Sequence, residues 1–402
     1  LNTLELFMNH PVSLLWLEGM DPQWVTTLPA LSFFPLQGCD LQLEPVPLVE
    51  REQCRYQVLT GMGPGQFGRF DNVRVEDYHI RQNYGVPIGA VDRLLPDSIR
   101  QQGLRVLSLE LRTPSEVSSL ALQAYDFVLI RVPAANDLSA SDLNALVQCW
   151  LDCLPATAQR LVLTDVFSSP ATMAVNVNDF LASAGLLKCD EHMAISWPET
   201  LAYGAGSGQL WLNVRGREPQ GTIRMGREFR KVSEMLAREL VLHWRNPLTD
   251  EPVVEKVLTK EEAYSGEYVF KAPDLTILYR PGYAPSANAR ALRLDGMCVL
   301  PVASAALELP GQPAYARLLA SGSEIQQGQF AQASLLDICP SVLHLLGLAL
   351  PARLDGQVVR SLFSEAYLTR HPVAYDPRED EPVSHEDERL ILARLRELGY
   401  LA

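Results

Sequence analysis

The chain has no run of 18 or more apolar residues, so nothing in it reads as a transmembrane helix. Its opening, Leu1-Asn2-Thr3-Leu4-Glu5-Leu6-Phe7-Met8, lacks the basic segment and small-residue cleavage site of a secretory signal. Cation excess is missing as well: 34 Lys and Arg face 48 Asp and Glu, a net charge of -14. Such a surface repels phosphate backbones and anionic lipid, which argues against nucleic acid or membrane as the main partner. The seven cysteines are scattered and odd in number, and no two form Cys-x-x-Cys, so reduced thiols fit better than a disulfide framework. Cys149 and Cys153 share a helix face without a third ligand nearby, which argues against a metal site there. These absences together predict a soluble, cytoplasmic protein. At 402 residues and 47% hydrophobic it is long enough to bury a large core without staples.

What is present is organised around residues 54–71, where Cys54-Arg55-Tyr56-Gln57-Val58-Leu59-Thr60 runs into Gly61-Met62-Gly63-Pro64-Gly65-Gln66-Phe67-Gly68. Glycine at a helix end supplies the left-handed cap and the following proline prevents resumption, so a helix should stop near Gly61. Apolar runs over 12–17, 104–109, 125–132 and 161–164 read as buried strands, each closed by turn residues. Helical stretches over 94–102 and 141–151 separate them. Strands alternating with helices predict an α/β fold with a mainly parallel sheet and helices on both faces. Residues 23–53 read as irregular, and 72–92 hold no clear period. Residues 229–240 place Phe229, Val232, Met235, Leu236 and Leu240 at helical spacing. His344 falls on an apolar helix and reads as a satisfied core or edge histidine. The domain reading is one α/β domain over 1–368, then an acidic tail over 369–402 with a helix capped by Ser384 and Asp387.

Several stretches resemble the type I phosphodiesterase/nucleotide pyrophosphatase branch of the alkaline phosphatase superfamily. Thr60 to Phe70 is similar to the segment that closes the nucleophile helix, and Asn213-Val214-Arg215-Gly216-Arg217-Glu218-Pro219-Gln220-Gly221 to a second family run. Ala272-Pro273-Asp274-Leu275, Gly282-Tyr283 and Leu398-Gly399-Tyr400-Leu401 agree too. The resemblance implies an alkaline-phosphatase-like sheet carrying two metal ions and a Thr or Ser nucleophile. Here the nucleophile position falls on Tyr56, with Gln57 beside it. Glu18 stands where an Asp ligand is expected, or merely ends a strand as a polar residue. Asn136 or Asp137 occupies the next ligand position, and no His follows. Asp165 is retained, but Val166 replaces the adjoining His and Leu292 the last one. The cap insertion, around 72–124, is reduced.

A valine or leucine has no lone pair for zinc, and without the ion pair the chemistry of such a site is lost. The resemblance thus implies a pseudoenzyme with no cofactor and no bound metal, its cleft kept as a binding or scaffolding surface for a protein partner or a small molecule. Its expected lining is Glu18, Arg55, Tyr56, Gln57, Asn136, Asp137, Asp165, Val166, Leu292 and Arg293. The surviving carboxylates should be splayed apart, bonded to backbone or paired with Arg55 or Arg293, with Val166, Phe167 and Leu292 as an apolar wall. Two alternatives stay open. Cys54, flanked by Arg51 and Arg55 near a helix N-terminus, is a candidate nucleophile for new chemistry, with Tyr56 as a second. The remaining carboxylates are an alternative oxygen-ligand site for a single hard cation, giving a weak phosphoester hydrolase.

Overall fold

The computed structural model describes residues 10–44, 51–68, 70, 73–82, 94–164, 171–190, 194–302 and 315–376. Its contacts divide the chain into two compact units, one built from Leu1–Gly63, Ile88–Phe167 and Ala314–Glu379, the other from Pro64–Pro87, Ser168–Pro313 and Asp380–Ala402. The chain leaves the first unit between Gly63 and Pro64, inside the glycine-rich segment.

The first unit is built on a seven-stranded sheet. Its strands are β1 (Val12–Leu17), β2 (Cys39–Glu44), β3 (Val106–Glu110), β4 (Phe127–Val132), β5 (Gln159–Thr164), β6 (Ala316–Ser321) and β7 (Gln329–Ser334). Across the sheet the order is β7-β2-β6-β5-β1-β4-β3. Only β6 runs against its neighbours; β1, β3, β4 and β5 are mutually parallel, and β7 is parallel to β2.

Alternation along each strand sends its side chains into two separate cores. Val12, Leu14 and Trp16 of β1 join Phe127, Leu129, Leu161 and Leu163 on one face. Leu15, Leu17, Val128, Ile130 and Val162 face the other way. Helices cover both faces. The first core takes Cys54 and Val58 from α1 (Arg51–Thr60), Leu95 and Ile99 from α2 (Leu95–Gln101), and Val342 and Leu343 from α5 (Ile338–Leu345). The second takes Val117 of α3 (Pro114–Ser118) and Leu143, Leu146, Val147 and Trp150 of α4 (Ala140–Cys153), spaced at three and four residues as an amphipathic helix requires. Trp150 also donates its indole N–H to Ser13 Oγ at 2.9 Å, so the polar atom buried with that ring is satisfied.

The α/β class with a largely parallel sheet therefore holds, and the expected strands lie within two residues of their places. Residues 23–53 are a correction: they contain β2, whose Cys39, Leu41 and Leu43 alternate inward. His344 of α5 is a second. It is 3% exposed, but among the described residues its Nε2 has no hydrogen-bond partner, so it is a core histidine rather than a satisfied one.

The second unit holds a four-stranded sheet of Ala202–Ala205, Gln209–Leu212, Leu275–Tyr279 and Val254–Thr259, and a three-stranded one of Met173–Val175, Tyr283–Pro285 and Val299–Pro301. The stretch 72–92 contributes the hairpin Val73–Glu76/His79–Gln82. Helix Arg227–His243 buries Leu236 and Leu240 in this unit's core and leaves Met235 36% exposed, so the apolar stripe is narrower than its spacing predicts. The C-terminal helix expected over 384–398 lies outside the described residues.

Candidate functional site

Parallel strands bring their C-terminal ends to one edge of the sheet, where open α/β sheets bind ligands. β1 is flanked by β4 and β5 with Leu17 level with both Val132 and Thr164. Glu18 is the next residue. Its N–H donates to Val132 O at 3.1 Å and its carbonyl accepts from Ala135 N–H at 2.7 Å, tying the ends of β1 and β4 together. Gly19 at φ +81 and Ala134 at φ +51 make the two turns, the latter a left-handed conformation uncommon outside glycine.

The Glu18 side chain is 6% exposed and both of its oxygens are engaged: Arg55 Nη2 donates to Oε2 at 2.6 Å and Arg131 Nη1 to Oε1 at 3.2 Å. Arg131 also binds Glu110 through its other terminal nitrogen. The result is an alternating chain, Glu110, Arg131, Glu18, Arg55, drawn from β3, β4, β1 and α1. Charge-assisted bonds of this kind are short and directional, and the two inner members, Arg131 and Glu18, each have an opposite charge on both sides. A second pair stands on the same edge. Arg317 of β6 forks onto Asp40 of β2, its N–H donates to Thr164 Oγ1 at 2.8 Å, and its Nη1 to Pro22 O at 3.3 Å. The hydrogen bonds that Arg317 donates to Asp40 raise its pKa above the usual range, so that cation is permanent.

The expected lining residues separate into groups. Glu18 and Arg55 are paired. Asn136 and Asp137 follow β4 on the same edge but are exposed. Among the described residues no hydrogen bond joins Asn136 to Glu18, while Asp137 stands 3.9 Å from Arg112. Tyr56 is half-buried and Gln57 fully buried on α1. Cys54 is 2% exposed within the first apolar core, the surroundings of a structural thiol. No disulfide joins any of the seven cysteines. Asp165, Val166 and Phe167 lie outside the described residues, and Arg51 only its backbone is described. Leu292 and Arg293 belong to the second unit. Among the described residues no three His, Cys, Asp or Glu side chains are grouped as metal ligands.

Arg131, Arg317 and Asp40 were not anticipated at this edge. Arg131 had a signal: a charge at the penultimate position of the otherwise apolar Phe127-Val128-Leu129-Ile130-Arg131-Val132 cannot face a core, so it must turn out at a strand end. Arg317 and Asp40 sit on strands that meet only in the folded chain.

The other distinctive motifs bind backbone together. Gly61 takes φ +69 at the end of α1, and its carbonyl accepts from the N–H groups of Asp355 and Gly356, both at 3.0 Å. The N–H of Gly63 donates to Asp355 Oδ2 at 2.8 Å. In the second unit a methyl group on Gly65 would lie 1.9 Å from Ser265 O, so only glycine fits. Arg217 forks onto Asp274 at 2.8 and 2.6 Å and reaches Leu212 O at 2.5 Å; Glu218 accepts from Tyr203 Oη at 2.9 Å. Burial alone would lower the Arg217 pKa, but Asp274 outweighs it and the net shift is upward; burial raises Glu218. Asn213 donates to Trp197 O at 2.8 Å and Thr200 O at 3.0 Å and accepts from Tyr78 Oη at 2.6 Å. This run is a staple for the second sheet.

No protein-family model matches the chain, and no curated protein matches it at a significant level.

Proposed function

We propose that the chain is a divergent phosphodiesterase-like protein of the alkaline phosphatase superfamily that has lost metal-dependent phosphoester hydrolysis and keeps its strand-end cleft as a binding or scaffolding surface. One observation carries the proposal: both oxygens of Glu18, at the position of a metal-ligating Asp, are held by Arg55 and Arg131. A ligand carboxylate must offer a lone pair to a cation. Here two guanidinium groups supply the positive charge, and a divalent ion would have to displace at least one and then sit beside both. Two-metal catalysis depends on ions placed to stabilise attacking and leaving oxygens, and arginines spent on protein carboxylates do not replace them. The burial of Cys54 weighs against the repurposed-thiol alternative.

The test is hydrolysis of p-nitrophenyl phosphate, bis-p-nitrophenyl phosphate and p-nitrophenyl sulfate with millimolar zinc or manganese. The expected rate is that of buffer. Turnover that disappears in Asp165→Ala overturns the proposal and restores the metal-hydrolase alternative.

A further inference from the structure

We infer that the second unit carries a binding groove for a small molecule with an aromatic or apolar body and a single anionic group. The groove is open, holds about 710 Å³, and is lined by Ile195, Trp197, Leu292, Arg293, Leu294 and Asp295 among others. Volumes of this size accept metabolite-sized ligands.

Its wall is built. Asp179, itself buried, accepts the N–H groups of Asp295 at 2.7 Å and Gly296 at 3.0 Å. The Asp295 carboxylate accepts from Ser286 Oγ at 2.7 Å, Asn176 Nδ2 at 3.0 Å and Asn288 Nδ2, while Asn176 also holds Arg293 O at 2.9 Å. Both Asp295 oxygens are therefore occupied by protein donors. Arg293 is different: it is exposed, and among the described residues its guanidinium has no hydrogen-bond or ion-pair partner. An uncommitted cation beside apolar walls selects an anion, in a chain whose net charge of -14 otherwise repels one.

Leu292 adds an independent sign. It follows the short helix Ala287–Arg290 at φ +56, the left-handed position at which helices ordinarily place glycine. A leucine there is strained, and strain of this kind collects at binding sites. Its side chain packs beside the second core and forms the groove wall. Trp197, also in the lining, is fixed by stacking on Tyr78, centroids 3.7 Å apart and planes 8° off parallel. The lining thus offers an aromatic face and an apolar side chain for a ring, and Arg293 as the cation for its acidic group. The inference does not depend on the proposed loss of hydrolysis.

The test is titration of the whole chain with 2-naphthoate, and with 2-naphthylmethylammonium of the opposite charge, followed by calorimetry. Saturable binding of the carboxylate and none of the ammonium is expected. Arg293→Gln, an exposed change, should weaken naphthoate about fivefold, the size of one solvent-exposed ion pair. Leu292→Gly removes the wall while suiting the backbone, so it should fold normally and lose binding. Equal binding of the two probes, no saturable binding, or undiminished naphthoate binding by both variants overturns the inference.

Discussion

His344 makes a prediction about acid stability that can be worked from its surroundings. The imidazole is 3% exposed and edge-on to Phe363 at 5.1 Å and Tyr367 at 5.4 Å, and among the described residues its Nε2 has no partner. Burial, reinforced by His371 and Arg360, pushes its pKa from 6.5 down to about 4. The folded chain thus resists a proton that the unfolded chain accepts. Above pH 6.5 both states are neutral there and the residue has no effect on pH dependence. As pH falls below 6.5 the unfolded state gains protons first, so stability declines, and the decline ends near pH 4, where the folded state also protonates. At 1.36 kcal/mol per pKa unit the whole loss is about 3 kcal/mol, of which about 2 kcal/mol falls between pH 7 and pH 5. Urea unfolding at those two pH values measures it. Carboxylates and His371 titrate in both proteins, so the informative quantity is the difference between the native chain and His344→Leu. The variant should lose about 2 kcal/mol less over that interval. Parallel losses, or a His344 pKa at or above 6.5 by NMR, would refute the reasoning.

Three further predictions concern the ion clusters and the buried thiol. Arg131→Met leaves buried Glu18 with Arg55 alone and should cost about 2–3 kcal/mol in urea unfolding; the double variant with Glu18→Gln should lose less than the sum, and strict additivity would show that the pair is not coupled. Arg217→Lys gives up the fork onto Asp274 and the Leu212 carbonyl bond and should cost about 2–4 kcal/mol, whereas a change below 0.5 kcal/mol, roughly the scatter of a surface substitution, would make the staple incidental. Cys54 should resist iodoacetamide in the native chain and label in urea, as read by peptide mass; native labelling at the urea rate would restore it as a reactive candidate.

The sheet's centre was legible because β1, β4 and β5 are short continuous apolar runs bounded by turn residues, the pattern of strands buried on both faces. Its other side was not. β7, Gln329-Phe330-Ala331-Gln332-Ala333-Ser334, has a single strong strand former, Phe330, and no charged pattern, and its place beside β2 is decided by pairing far along the chain. β2 did alternate, as Cys39-Asp40-Leu41-Gln42-Leu43-Glu44, but its short period is hidden among prolines and turns. At the site, Glu18 could be placed at a strand end from local sequence. That its carboxylate meets Arg131 could not, because the contact spans 113 residues and follows only from the β1–β4 register.

The contrast between what the motifs do and where the site chemistry lies has a physical basis. Gly61 needs a positive φ, Gly65 must admit another carbonyl within its missing side chain, and Arg217 must neutralise a buried Asp274. Each answers to a requirement of the fold itself, so replacement costs stability whether or not the chain is a catalyst. A metal ligand at a strand end answers to the ion alone. Under the proposed loss of the ion, the sole demand left on a buried carboxylate such as Glu18 is that its charge be compensated, and arginines on α1 and β4 do this. Under the proposed kinship, segments that resemble a hydrolase most closely are therefore those that never performed hydrolysis, and their persistence reports the fold while the arginine pairs report the chemistry.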